Sequence, residues 1–443
     1  MQTRRILLAS GAAVLTGSTG LLTPGLSGSA LAAKPKHAAR HARSAPAAEA
    51  VAVDSTPAMT PIGPVDTPAR WACITDFDSG QVLLEKAADE HMPPSSLTKM
   101  MTAYVVFGML GAGRIKLDQM LPVSERAWRM QGSKMFVPLG ESIAVQDLIQ
   151  GMLIQSGNDA CIVLAEGISG SEEQFVALMN DTAAKLGMSN SHFMNTTGWP
   201  AEGHYMSARD VCTIATHLIR DFPQYYHFFS ETSFAFNKIN QGNRNVLVDK
   251  GLADGLKTGH TDAGGFGLCA SSKRESRRVV MAINGLSSSN ARAHEGERLL
   301  AWSFANFEQA VIARKGQVIE QAPVWMGEAG TVPLVASRDV TFLLPHGWQS
   351  RVHVAVDYPS PVVAPVTAGQ PVGQLTITLP ANPTAGSVVP PQPVAVVGGA
   401  PAAPVVAPVP QATVITVPLE AGAAVARLGF GGRIAARLGM KHH

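Results

Sequence analysis

Three short polar clusters carry the chemistry this sequence can do. Ser96-Leu97-Thr98-Lys99 is the one Ser-x-x-Lys in the chain and follows Pro93-Pro94. Prolines suit the first turn of a helix and not its interior, so Ser96 is expected in that turn with Lys99 one turn on, both side chains on one face. A serine hydroxyl is a weak nucleophile until a base takes its proton, and a lysine desolvated beside a second cation can be neutral enough to do so. The second and third clusters are Ser156-Gly157-Asn158 and Lys257-Thr258-Gly259. Lys257 can hold a carboxylate, Thr258 can add a hydrogen bond, and Gly259 lets substrate backbone approach closely. Ser-x-x-Lys alone is a weak signal, arising by chance about once in a chain of this size. Each tripeptide arises about once in ten such chains, so the ordered triplet is a strong one.

The elements that must position these groups follow from periodicity. Strand-like runs at 71–76 and 81–85 flank Phe77-Asp78-Ser79-Gly80, which has the composition of a hairpin turn. Helical periods follow at 96–110, 145–156, 159–167, 172–186, 207–220 and 293–307, with strand-like runs at 255–261, 266–272 and 278–284. Strands at both ends of a segment with helices between them predict one sheet covered by helices, in a domain from 67 to 315. From Gly316 the pattern changes to short Val-rich runs at 331–335, 340–344, 352–356, 374–379 and 413–418, separated by Pro and Gly. A small all-β domain is expected over 316–420. Residues 380–411 are dominated by Pro, Ala, Val and Gly and read as a disordered insertion between strands that would otherwise be adjacent.

Composition limits the rest. The 443 residues are 46% hydrophobic and 15% charged, enough for two or three folded domains. The net charge of +2 hides basic ends around a mildly acidic middle, which carries no electrostatic footprint for nucleic acid. Residues 1–33 read as an export signal: Arg4 and Arg5, an apolar stretch to Leu22, then Ala30-Leu31-Ala32 as cleavage site. Thr3-Arg4-Arg5-Ile6-Leu7-Leu8 also has the look of a twin-arginine signal. Residues 34–66 read as a flexible leader. The four cysteines have no CxxC neighbour or matching His spacing, so a metal site is not expected. Buried thiols are favoured over disulfides. In the tail, 421–443, Phe430, Ile434 and Leu438 repeat every four residues beside Arg433, Arg437 and Lys441. Such a helix is amphipathic and too short to span a bilayer, so it is expected to lie on an anionic membrane surface or to dock on the β domain.

The three clusters, in this order, resemble the S-x-x-K, S-x-N and K-T-G motifs of the penicillin-binding protein and serine β-lactamase superfamily. More narrowly the chain is similar to the low-molecular-mass D-alanyl-D-alanine carboxypeptidases. The residues behind this are Pro94-Ser-Ser-Leu-Thr-Lys-Met-Met-Thr-Ala-Tyr104, Ile154-Gln-Ser-Gly-Asn-Asp-Ala160, Asn195-Thr-Thr-Gly198, Asn243-Arg-Asn245 and Gly255-Leu-Lys-Thr-Gly-His-Thr-Asp262. The insertion at 380–411 departs from the family pattern.

The resemblance implies a fold: a β-lactamase-like sheet-and-helix catalytic domain, then a small β-sandwich-like domain and a C-terminal amphipathic helix. It implies an activity: removal of the terminal D-alanine from peptidoglycan stem pentapeptides through an acyl-enzyme on Ser96, with β-lactam antibiotics bound covalently and no cofactor. Lys99 would be the base, with the N–H groups of Ser96 and His260 as oxyanion hole. Ser156 would relay a proton and Asn158 orient Lys99, while Lys257, Thr258 and Arg244 hold the terminal carboxylate. The implied location is the periplasmic side of the cytoplasmic membrane. Plainer roles stand beside these. Ser156 and Asn158 could cap the next helix, His260 could lend only its backbone, and Arg244 and Arg292 could be surface charges. A D,D-endopeptidase shares all three motifs. A β-lactamase would need a deacylating Glu-x-x-Leu-Asn or Tyr-x-Asn, and the sequence has neither. A non-catalytic wall-binding module would not need a base beside a serine.

Overall fold

The computed structural model describes residues 2–5, 56–379 and 413–437. Most of the expected export signal, part of the leader, the insertion and the last six residues lie outside them. The leader expectation needs correcting at its end. Residues 56–66 are folded: Ala58 is buried and pairs with Val65, and Met59 pairs with Glu85. They close the edge of the first hairpin.

That hairpin is β1 (Trp71–Asp76) and β2 (Val82–Lys86), turned at Gly80 with φ +70°. A 3-10 turn at Ser95–Thr98 leads into α1 (Lys99–Gly111). Next come α2 (Val145–Leu153), α3 (Asn158–Ser169), α4 (Glu172–Lys185) and α5 (Ala208–Asp221). The chain returns to the sheet with β3 (Gly255–Thr261), β4 (Gly265–Arg274) and β5 (Arg277–Leu286), then α6 (Ser289–Asn306). Serines 171, 207 and 288 fix the starts of α4, α5 and α6, each hydroxyl accepting the N–H three residues on.

The strands form one antiparallel sheet in the order β2-β1-β5-β4-β3. Alternation sends neighbouring residues to opposite faces. Cys73, Cys269, Val280 and Ala282 join the core with α1 to α5. Ala72, Ile74, Met281 and Ile283 pack with Leu299 and Leu300 of α6. A sheet buried on both faces is a rigid platform, and its edge strand β3 is where Lys257, Thr258 and Gly259 sit. All four cysteines are buried free thiols. Cys212 on α5 donates its S–H to the Cys73 carbonyl at 3.3 Å, and Cys161 on α3 donates to the Gly157 carbonyl at 3.3 Å.

The sequence pattern runs the last helix to 307 and the catalytic domain to 315. The structure ends the helix at Asn306 and opens a strand at once, β6 (Phe307–Ala313), paired with β9 (Val340–Pro345). Ala310, Ile312 and Ala313 belong to the second core, so the β domain begins at Phe307. Its other layer holds β7 (Val318–Trp325), β8 (Thr331–Ala336), β10 (His353–Tyr358), β11 (Pro371–Leu379) and β12 (Thr413–Ala421), in the order β10-β11-β12-β8-β7. Gln2–Arg5 pairs with the outer edge of β10. β11 and β12 are antiparallel neighbours with Leu379 opposite Thr413, so the insertion leaves and rejoins the sheet at one point. The final element, α7 (Phe430–Arg437), leaves Phe430 and Ile434 exposed, at 74% and 47%.

Candidate active site

The Ser-x-x-Lys tetrapeptide folds as its spacing predicts. Ser96 is in the 3-10 turn and Lys99 opens α1 beneath it, with Lys99 Nζ 3.0 Å from Ser96 Oγ. The ammonium nitrogen also reaches Asn158 Oδ1 and the Thr197 carbonyl, each at 2.7 Å. Across the cavity, Lys257 Nζ lies 3.0 Å from Ser156 Oγ and 3.1 Å from the Thr258 carbonyl. Both lysines are almost wholly shielded from solvent. Burial lowers the Lys99 pKa to about 8, the nearby guanidinium of Arg244 adds to that, and the Asp159 carboxylate opposes it. Lys257 is held well below the ordinary lysine range by burial and by the charges of Lys99 and Arg244. Two ammonium groups in one dry cavity repel, so each favours the neutral form of the other.

Ser156 and Asn158 do not act as caps: the residue flanking α3 is Gly157, and no side chain caps that end. Ser156 instead takes φ +61°, an uncommon value for a residue with a Cβ, and this turns its hydroxyl toward Lys257. Asn158 spans the cleft wall, with its Oδ1 facing Lys99 and its Nδ2 donating to the Gln131 carbonyl at 2.8 Å. Gly259 has a different neighbour from the one its sequence context suggests. A Cβ there would run into Ser95 Oγ, so the strand is glycine at this point to admit the serine turn itself. Gly198 does the same from the other side, where a Cβ would strike the Ser95 carbonyl.

The remaining predicted residues lie on the rim. His260 is exposed, with its ring 3.9 Å from that of Phe266. Arg244 is exposed and donates to Ser133 Oγ at 2.8 Å, while its carbonyl accepts from buried Arg292 at 3.3 Å. The pKa of Arg292 falls to about 10 through burial and the charge of Arg244. A cleft of about 310 Å³ exposes Ser96 between Ser133, Asn158 and Thr197 on one wall and His260 and Asp262 on the other. A serine beside a buried lysine whose pKa falls to about 8, with a cationic end for an anion, suits acyl transfer to a carboxylate-ended substrate.

Comparison with known proteins agrees with this geometry. Residues 57–287 match the D-alanyl-D-alanine carboxypeptidase family, and 307–397 match the C-terminal domain of penicillin-binding protein 5. The D-alanyl-D-alanine carboxypeptidase DacC of Escherichia coli is 38% identical over 320 residues, which is 70% of this chain and 80% of that protein. The chain belongs to the D-alanyl-D-alanine carboxypeptidase family. The crystal structure of penicillin binding protein 5 from Haemophilus influenzae is 34% identical, with a TM-score of 0.61, and covers 81% of this chain and 98% of its own. DacF of Bacillus subtilis is 32% identical over 70% of this chain and 81% of that protein.

Two features of this carboxypeptidase escaped the motif reading. The Asp159 carboxylate is fully buried and accepts N–H bonds from Met135 at 3.0 Å, Phe136 at 2.8 Å and Val137 at 3.2 Å. That nest of three successive N–H groups fixes the loop carrying Gln131, Gly132 and Ser133, with Phe136 held at φ +68°. Asn195 plays the same part opposite. Its Oδ1 accepts from the N–H groups of Thr197, Gly198 and Trp199, and this presents the Thr197 carbonyl to Lys99. Asp159 and Asn195 were visible beside the motif residues, but nothing in their spacing marks them as clamps.

Proposed function

We propose that this serine D-alanyl-D-alanine carboxypeptidase works through the following assignment of roles. Neutral Lys99 takes the Ser96 proton as Ser96 Oγ attacks the carbonyl joining the last two D-alanines of a stem peptide. The N–H groups of Ser96 and His260 receive the developing oxyanion. Lys257, Thr258 and Arg244 hold the terminal carboxylate, and Gly259 keeps the strand close to the serine turn. An arriving carboxylate favours the charged form of Lys257, whose charge in turn favours neutral Lys99. Ser156 passes a proton to the departing D-alanine nitrogen, and Asn158 holds Lys99 in line. Water then cleaves the ester, releasing the shortened peptide and Ser96.

The observation that carries this reading is the 3.0 Å approach of a buried, pKa-lowered lysine to Ser96. The test is D-alanine release from a stem pentapeptide alongside labelling by a tagged penicillin. Wild type should do both, and Ser96→Ala should lose at least about 10⁴-fold in turnover and all covalent label. Equal labelling of the two proteins would remove Ser96 as nucleophile.

The tail reading completes the proposal. The exposed Phe430 and Ile434 of α7, with Arg433 beside them, suit an anionic membrane surface. No described helix is long and apolar enough to cross a membrane. With the export signal at 1–33, whose cleavage would take the Gln2–Arg5 strand off the edge of β10, this would put the enzyme on the periplasmic face of the cytoplasmic membrane. Truncation after Gly429, beyond β12 and the last residues of the second core, should release the protein from sedimented membranes, with turnover of a soluble peptide unchanged.

A further inference from the structure

The cationic end of the cleft has an acidic counterpart that the acyl-transfer chemistry does not use. A second cavity, of about 410 Å³, opens beside the catalytic cleft and is continuous with it through Ser95, Gly198, Trp199, Pro200 and Thr261, which line both. Its walls are largely apolar, and the one formally charged side chain on them is Glu202. The Glu202 carboxylate has no ion pair or hydrogen bond among the described residues. His204, at the back, is hydrogen-bonded to Thr98 Oγ1 at 2.9 Å and accepts the Met194 N–H at 3.3 Å. Burial lowers its pKa to about 4, so near neutral pH it places no cation there. The next carboxylate, Asp262, lines the catalytic cleft on the same side. Lys99, Lys257, Arg244 and Arg292 gather at the other end.

This polarity has a direction. From Lys257 to Thr261 the edge strand runs four residues, about 13 Å at roughly 3.3 Å per residue. A peptide lying along it with its terminal carboxylate at Lys257 has its scissile carbonyl at Ser96. The residues before the two D-alanines then run toward Thr261 and Trp199. In a lysine-type stem peptide the residue before D-alanyl-D-alanine is a diamino acid, an aliphatic side chain ended by an ammonium group. We infer that the second cavity is the acyl-side subsite, taking that side chain against Trp199 and Pro200 with its ammonium paired to Glu202. The volume is ample for one such chain, and the substrate's two charges then match the two ends of the site. This inference rests on the peptide orientation proposed above.

The test compares Nα-acetyl-L-Lys-D-Ala-D-Ala, whose side-chain amine is free, with its Nα,Nε-diacetyl form. Wild type should favour the free amine by roughly fivefold in kcat/KM at low ionic strength, the scale of an exposed ion pair, with the preference shrinking as salt is added. Glu202→Gln should remove the preference and leave the rate of penicillin acylation unchanged. Asp262→Asn should keep most of the preference. Equal kcat/KM for the two peptides in wild type, or a preference that survives in Glu202→Gln, overturns the subsite while leaving the carboxypeptidase reaction standing. A wild-type protein that releases D-alanine from neither peptide overturns both.

Discussion

The catalytic domain and the β domain bury different things. Among the described residues, every buried polar or charged side chain lies between Thr60 and Ser303, including Lys99, Asp159, Lys257 and Arg292. The second core, from Ala310 to Val425, is made of Ala, Val, Ile, Leu, Tyr and Trp. A buried charge costs several kcal/mol unless neighbours compensate it. The β domain largely avoids that cost, the exception being one buried oxygen of half-buried Asp357. The catalytic domain accepts it at several places, Asp76, Lys86, Asp210 and Glu295 among them, and in the catalytic cavity the same desolvation brings the Lys99 pKa to about 8. In that cavity the penalty and the function are one physical effect. Changing the buried charges of that cavity should then alter the chemistry, and changing the β domain should not.

The largest expected effect comes from removing the proposed base. Lys99→Ala should lower acylation by roughly 10² to 10⁴-fold, the range for general acid-base catalysis. In wild type, acylation should rise with pH through about 8, because the neutral amine is the active form and burial has lowered its pKa. Single-turnover penicillin acylation from pH 6 to 11 reads this directly. A profile that stays flat until about pH 10, where an unperturbed lysine titrates, would mean burial does not prepare the base.

Asp159→Asn tests whether a charge that touches no substrate belongs to the same system. An amide keeps one acceptor oxygen where the carboxylate has two, so the N–H groups of Met135, Phe136 and Val137 cannot all be satisfied. The loop holding Ser133 should loosen, lowering kcat/KM by about tenfold. Loosening alone would leave the pH profile in place. The carboxylate also raises the Lys99 pKa. Its removal should therefore move the acylation midpoint to lower pH, and an unmoved midpoint would reduce Asp159 to a loop tether.

What was legible in advance divides along the same line. Ser96, Lys99 and Lys257, proposed as nucleophile, base and carboxylate holder, could be picked out because side-chain chemistry at a fixed spacing leaves a mark. Strand β3 could be read to the residue because it is a short apolar and polar run between turn signals. The Thr197 carbonyl left no mark, since every residue carries one and only the Asn195 turn decides where it points. The start of the β domain was missed because Phe-Glu-Gln-Ala-Val-Ile-Ala follows a helix without a Gly or Pro stop, so the periodic reading ran on. Gly259 lies against the serine turn, a neighbour that its sequence context does not show. That a glycine is needed shows in the sequence, whereas the serine turn that occupies the space comes from far along the chain.

The smallest expected effect on turnover lies at the insertion, where the prediction for catalysis is no change. Strands β11 and β12 already meet in register at Leu379 and Thr413. A hairpin closed by about four residues would therefore keep every ladder bond that 380–412 now spans. If that segment acts as a flexible connection, closing the long loop costs more chain entropy than closing the short one, by about 0.6 kcal/mol per doubling of length. Three doublings separate the two lengths, so replacing 380–412 with a four-residue turn should raise stability by up to about 2 kcal/mol in urea unfolding. D-alanine release and penicillin labelling should match wild type. A fall in turnover without loss of stability would show that the insertion reaches the catalytic domain, and the separation of roles argued here would fail.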